Sequence, residues 1–137
     1  MASYNKFQSF VGSIGDGAQD LDADTLKCYL TNATPSASAD SLKADLAEIA
    51  GGNGYTATGE DVQNAYSEAG GVGTLTGVDI AITASGGSIG PFRYVVLYND
   101  TAAGDPLVAW WDYGSALTLN DGDGFTIDFG ASILTIT

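Results

Sequence analysis

The sequence predicts a mainly β chain: a single-domain antiparallel β-sandwich or jelly roll with one or two short helices and an N-terminal arm. Short runs in which apolar and polar residues alternate recur along the second half, the period-two signature of strands buried on one face. Clusters of Gly, Asn, Asp and Pro separate these runs at roughly ten-residue spacing, as in all-β domains. The length, 137 residues, suits one hydrophobic core, because single-core domains cluster at roughly 100–150 residues. The expected division is residues 1–25 as an arm or short helix and residues 26–137 as the β-sandwich domain.

In the first segment Phe7, Phe10, Val11 and Ile14 follow the i, i+3, i+4, i+7 spacing of one helix face. An extended arm docking on a neighbour is the competing expectation, and a Gly/Asp-rich stretch follows to residue 24. Leu26, Cys28 and Leu30 then alternate with Lys27, Tyr29 and Thr31, which predicts a half-buried strand. Residues 32–40 have loop composition. Asp40 or Ser41 is a possible cap for a helix of about two turns carrying Leu42, Leu46 and Ile49, stopped by Gly51-Gly52-Asn53-Gly54. Residues 55–58 read as a short strand. Residues 59–73 are ambiguous, because Val62, Tyr66 and Ala69 have helical spacing while Gly70, Gly71 and Gly73 cut a helix short.

From Leu75 the pattern is consistently β. Val78, Ile80 and Ile82 alternate with Asp79, Ala81 and Thr83, and residues 84–91 form a long, flexible connection. Phe92-Arg93-Tyr94-Val95-Val96-Leu97-Tyr98 is apolar on both faces except at Arg93, which marks a central strand. A loop over 99–106 leads to the return strand Leu107-Val108-Ala109-Trp110-Trp111-Asp112-Tyr113, making a hairpin. Leu117-Thr118-Leu119 passes through the turn Asn120-Asp121-Gly122-Asp123-Gly124 into Phe125-Thr126-Ile127-Asp128-Phe129, with an aromatic-rich face inward. A strand over 133–137 completes the set.

Composition narrows the function. Hydrophobic residues make up 45% and mean hydropathy is +0.08, too apolar for a disordered chain. No run approaches the ~20 apolar residues of a membrane span, and no secretory signal is visible. Four basic residues (Lys6, Lys27, Lys43, Arg93) face seventeen carboxylates, a formal −13. Nucleic acid and anionic membrane surfaces are therefore expected non-partners, since both are bound through clustered Lys and Arg. The acidity reads as a solvated outer face that keeps a dense assembly soluble.

The chain has no histidine, so Ser/His/Asp and Cys/His mechanisms are unavailable. Cys28, the single cysteine, shares its face with Leu26 and Leu30 and reads as a packed thiol. Carboxylate pairs alone can hydrolyse glycosides, with Asp112 beside Trp110, Trp111 and Tyr113 as the most interesting candidate. An aromatic core strand ending at the surface accounts for the same residues. Asp20, Asp22 and Asp24 match the first ligand positions of a calcium loop, but Thr25 stands for the required glycine and Thr31 for the bidentate Glu. Asp-Gly pairs at 121–124 meet the needs of a tight turn. The glycine-rich stretches lack the lysine or G-x-G-x-x-G of nucleotide loops. No catalytic residue, metal or cofactor is expected, and the chain is read as a non-enzyme.

Several stretches carry a family resemblance: Gly52-Asn53-Gly54-Tyr55-Thr56-Ala57; Thr83-Ala84-Ser85-Gly86-Gly87-Ser88-Ile89-Gly90-Pro91-Phe92-Arg93-Tyr94-Val95-Val96-Leu97-Tyr98-Asn99-Asp100; Asp105-Pro106-Leu107; Trp110-Trp111-Asp112-Tyr113-Gly114; and Phe125-Thr126-Ile127-Asp128-Phe129. Together they resemble a family of small virion structural proteins of tailed bacteriophages, with residues 59–73 more acidic and more helix-like than its pattern. The resemblance implies a particle component, foremost a capsid decoration or cement protein that binds and stabilises the major capsid lattice. The implied location is the virion capsid surface, with assembly in the host cytoplasm, and the implied partners are the major capsid protein and sister copies in a dimer or trimer. Phe7, Phe10, Val11 and Ile14 are the expected partner-binding patch. The alternative is a tail or fibre component that binds host glycan through Trp110, Trp111 and Tyr113.

Overall fold

The computed structural model describes residues 2–137. In chain order its elements are β1 (Tyr4–Lys6), α1 (Gln8–Gly15), β2 (Leu26–Thr31), a 3-10 turn (Lys43–Asp45), β3 (Glu60–Asp61), β4 (Ala65–Ala69), β5 (Val72–Thr76), β6 (Ile80–Thr83), β7 (Ile89–Asn99), β8 (Leu107–Leu119), β9 (Gly124–Ile127) and β10 (Leu134–Ile136). Every strand pair is antiparallel. They form a five-stranded sheet in the order β1-β8-β7-β2-β3, a three-stranded sheet β10-β5-β4, and a two-stranded ribbon β6-β9. This is a small, mainly β, sandwich-like domain, the first of the two expected architectures.

Strand β7 holds the middle of the large sheet, as its two apolar faces require. One face of that sheet, with Leu26, Cys28, Leu30, Val95 and Leu97, packs against Leu75, Ile80, Ile82, Ile127 and Leu134 of the smaller sheets. The opposite face, with Tyr29, Val96, Tyr98 and Leu107, is covered by Phe7 and Leu46. Cys28 is 1% exposed, and burial pushes its thiol pKa up. The thiol is thus a packed group without thiolate character.

The structure corrects the expectation of a two-turn helix over 42–49. The Asp45 carboxylate accepts the N–H groups of Ser41 and Leu42 at 2.8 and 3.0 Å, which closes one 3-10 turn. Beyond it the Ile49 N–H donates to the Leu30 carbonyl at 3.0 Å and Glu48 bridges Thr31, so the β2 edge takes the hydrogen bonds that a helix would have used. Residues 55–58 form no strand; Tyr55 makes a single bridge to Gly52. Glu48 organises this loop by accepting the Tyr55 hydroxyl at 2.6 Å, the Thr58 N–H at 2.8 Å and the Lys43 ammonium at 3.0 Å.

Residues 59–73 resolve as strand, not helix. Gly70 and Gly71, at φ +60° and +86°, make the two-residue turn between β4 and β5. Double-positive φ is what the favoured hairpin turns demand and glycine supplies without strain. Val78 is 52% exposed and precedes β6, so the inward alternation begins at Ile80. The expected flexible connection over 84–91 is shorter, because β7 starts at Ile89.

The N-terminal segment lies on the domain as strand and helix. Strand β1 pairs with β8, Asn5 opposite Trp110, and the Phe7 N–H extends the ladder to the Val108 carbonyl at 3.2 Å.

Candidate functional site

Two neighbouring surface grooves hold four of the exposed large apolar side chains, Tyr4, Val11, Tyr113 and Ile136, while Leu42, Val72 and Val78 lie elsewhere. The first, about 630 Å³, lies between Tyr4 and Lys6 of β1, Val11 and Ile14 of α1, and Thr135 and Ile136 of β10. The second, about 450 Å³, is lined by Tyr4, Trp111, Tyr113, Phe125 and Phe129, with Thr126 and Asp128 as polar members. Both volumes fall within the range of small-molecule sites. Tyr4, Ser132 and Ile133 belong to both linings, so the grooves are contiguous.

The expected partner-binding patch is split by the fold. Phe7 is fully buried and Phe10 is 5% exposed, so both rings serve the chain's own core. Val11, at 56% exposure, and the half-buried Ile14 remain on the groove wall. The cause is the switch from strand to helix at Phe7, which breaks the common helical face that the spacing suggested. Phe7, extended at the start of α1, packs with Tyr29 and Tyr98 on one face of the large sheet, Phe10 points from the helix into the core on the other, and the helix flank presents Val11 and Ile14.

The expected aromatic triad is also divided. Adjacent residues of a strand point to opposite sheet faces, so Trp110 turns to Phe7, ring centroids 4.6 Å apart, while Trp111 turns to Tyr4 and Phe129 at 6.0 and 6.1 Å. Tyr113, 53% exposed, shares the Trp111 side and leans on Phe125 at 5.9 Å. Trp110 therefore leaves the candidate glycan platform, and Tyr4, Phe125 and Phe129 join Trp111 and Tyr113. The period-two alternation over 125–129 marked these phenylalanines as one face. The contribution of Tyr4 has no sequence signal, because β1 is too short to show a period.

Asp112 faces away from Trp111 and is held by Arg93, Nε to Oδ1 at 2.8 Å and Nη2 to Oδ2 at 3.1 Å, with the Gly114 N–H adding 2.8 Å. The guanidinium, then the backbone N–H, hold its carboxyl below the ordinary aspartate value. A depressed folded pKa contributes stability that is present above the unfolded value and lost as pH falls through the folded one. Asp112→Asn is accordingly expected to be less stable than the parent at neutral pH and to converge with it on acidification. Urea midpoints measured from ~pH 7 to ~pH 2 check this; a gap that persists at the acid end contradicts it.

The acidic loop over 20–24 is occupied internally. Asp20 Oδ1 accepts the N–H groups of Asp22 and Ala23, and Asp24 Oδ2 accepts those of Asp20 and the Asn99 side chain. Asp121 and Asp123 likewise bond the backbone of Gly86 and Asn120. Among the described residues no cluster of three or more His, Cys, Asp or Glu side chains has metal-holding geometry, and no helix is long and apolar enough to cross a membrane.

The class that fold and surface define is a small β-sandwich-like chain with a contiguous apolar and aromatic groove. No family model matches the chain, and neither a curated protein nor a solved structure does.

Proposed function

We propose that this chain is a structural protein of a tailed-bacteriophage particle, a decoration protein on the capsid surface that adheres to the major capsid lattice through the groove between α1, β1 and β10. One observation carries the choice of surface: a chain of net charge −13 keeps a ten-residue groove lining without a single carboxylate. Exposed apolar surface free of like charge is where a polyanion can meet a partner with least desolvation and repulsion. The resemblance of stretches between residues 52 and 129 to small virion proteins supports the particle as the place of action. Many identical copies on a lattice need only modest contacts each, since multivalency multiplies them.

Val11→Asp is the direct test, because Val11 is too exposed to matter for folding. Desolvating a carboxylate in an apolar contact costs roughly 2–4 kcal/mol even with Lys6 in the same lining, so co-sedimentation with purified capsids is expected to drop at least tenfold. The rupture temperature of decorated particles falls with it, since a bound protein stabilises the state it binds. Unchanged capsid binding by Val11→Asp rejects the reading.

A second reading has its own observation: Trp111, Tyr113 and Phe125 line one open groove with Thr126 and Asp128, the mix of aromatic faces and hydrogen-bonding groups on which sugars dock. In this reading the chain belongs to a tail or fibre. Glycan binding lost in Tyr113→Ala but kept in Val11→Asp favours it.

A further inference from the structure

Strand β1 is the outer member of the five-stranded sheet and β10 the outer member of the three-stranded one, and both flank the first groove. In an antiparallel ladder, hydrogen-bonded positions recur every second residue. The Phe7 N–H bonds Val108 across the ladder, so Phe7 and Asn5 occupy the bonded positions towards β8. The main-chain N–H and C=O of Tyr4 and Lys6 accordingly point away from β8, to the side where the sheet has no further strand. Such an edge is a template for an added strand.

Charge narrows the occupant. Lys27, Lys43 and Arg93 pair with Asp100, Glu48 and Asp112. Among the described residues Lys6 alone of the four cations has no such pair, and it is the only charged residue of the groove lining. Two copies joined groove to groove would set Lys6 against a lining that offers no carboxylate, under the mutual repulsion of two −13 chains. A distinct protein suits the site better.

We propose that the groove takes an extended segment of a second protein by strand addition to β1, with apolar side chains on alternate residues and one carboxylate meeting Lys6. This rests on the groove being the adhesion site. Main-chain pairing to Tyr4 and Lys6 gives affinity, while Val11, Ile14 and Ile136 receive the apolar side chains and Lys6 selects the acidic residue.

The probe is a capped synthetic peptide alternating valine with threonine about one central glutamate, with a lysine at each end. It is compared with a form N-methylated at alternate amides and a form with lysine at the centre. Titration into the full chain, followed by amide NMR, is expected to shift and protect the Tyr4 and Lys6 amides. The N-methylated form should bind at least about tenfold more weakly, and Lys6→Glu should reverse the preference between the two centres. Lys6 is exposed, and the amide spectrum reports whether the variant is folded. Equal binding of the N-methylated form, an unchanged preference in Lys6→Glu, no shifts at millimolar peptide, or self-association of the free chain through β1 overturns the proposal. If capsid binding still falls in Val11→Asp, the groove stays the adhesion site and strand addition alone is removed.

Discussion

Replacing Phe7 by alanine is expected to destabilise the chain by about 3–5 kcal/mol, the usual cost of emptying a phenylalanine site in a core. Phe7 is fully buried and joins β1 to α1, with its ring between Trp110 and the cluster of Tyr29, Tyr98 and Leu107. Removal leaves a cavity under the large sheet that these rigid aromatics cannot collapse to fill. The loss is also local, because the anchor of β1 disappears. Tyr4 and Lys6 then lose their hold on the groove, and capsid binding should fail along with stability. Urea unfolding measures the first effect, and a change below about 1 kcal/mol would mean that the N-terminal segment does not pack as described.

Gly59→Ala is the other large loss. Gly59 sits at φ +90°, and a Cβ there would overlap the Cys28 carbonyl oxygen and stand 2.7 Å from its carbon and 3.1 Å from the Tyr29 Cα. Those contacts are backbone, so no side chain can rotate away. Strain at positive φ costs of order 1–3 kcal/mol and overpacking about 1–3 more. The neighbouring contacts are coupled to it: the Thr58 N–H donates to Glu48 and the Thr58 carbonyl accepts the Tyr98 hydroxyl. A drop in the thermal midpoint of more than ~10 °C is expected. Gly15→Ala serves as the control, since its Cβ would meet nothing within 4 Å in the last turn of α1. Equal effects of the two substitutions would contradict the close approach of residue 59 to β2.

Much of the sheet was legible because its signals are local. A run apolar on both faces marked β7 as central, and alternation marked β2, β6 and β9, although β2 is buried on both faces and not half-buried as expected, because Tyr29 and Thr31 are covered too. The failures are places where a competing local bond decided. Asp45 captured the N–H groups that would have opened a helix, and Gly70-Gly71 offered a hairpin turn while Val62, Tyr66 and Ala69 imitated helical spacing. Trp110 and Trp111 were grouped by adjacency, although a strand sends neighbours to opposite faces. The groove itself was only half readable. Val11 and Ile14 stood out by helical spacing, but its other walls are strands of three residues each. They meet only through long-range packing, which no short window of sequence encodes.

Amide hydrogen exchange on the chain free in solution and bound to purified capsids locates the adhesion surface without assuming it. New protection concentrated at residues 4–6, 11–14 and 132–136 is the expected result. Protection confined to residues 111–113 and 125–129, or none anywhere on binding, would contradict a capsid-facing groove at β1.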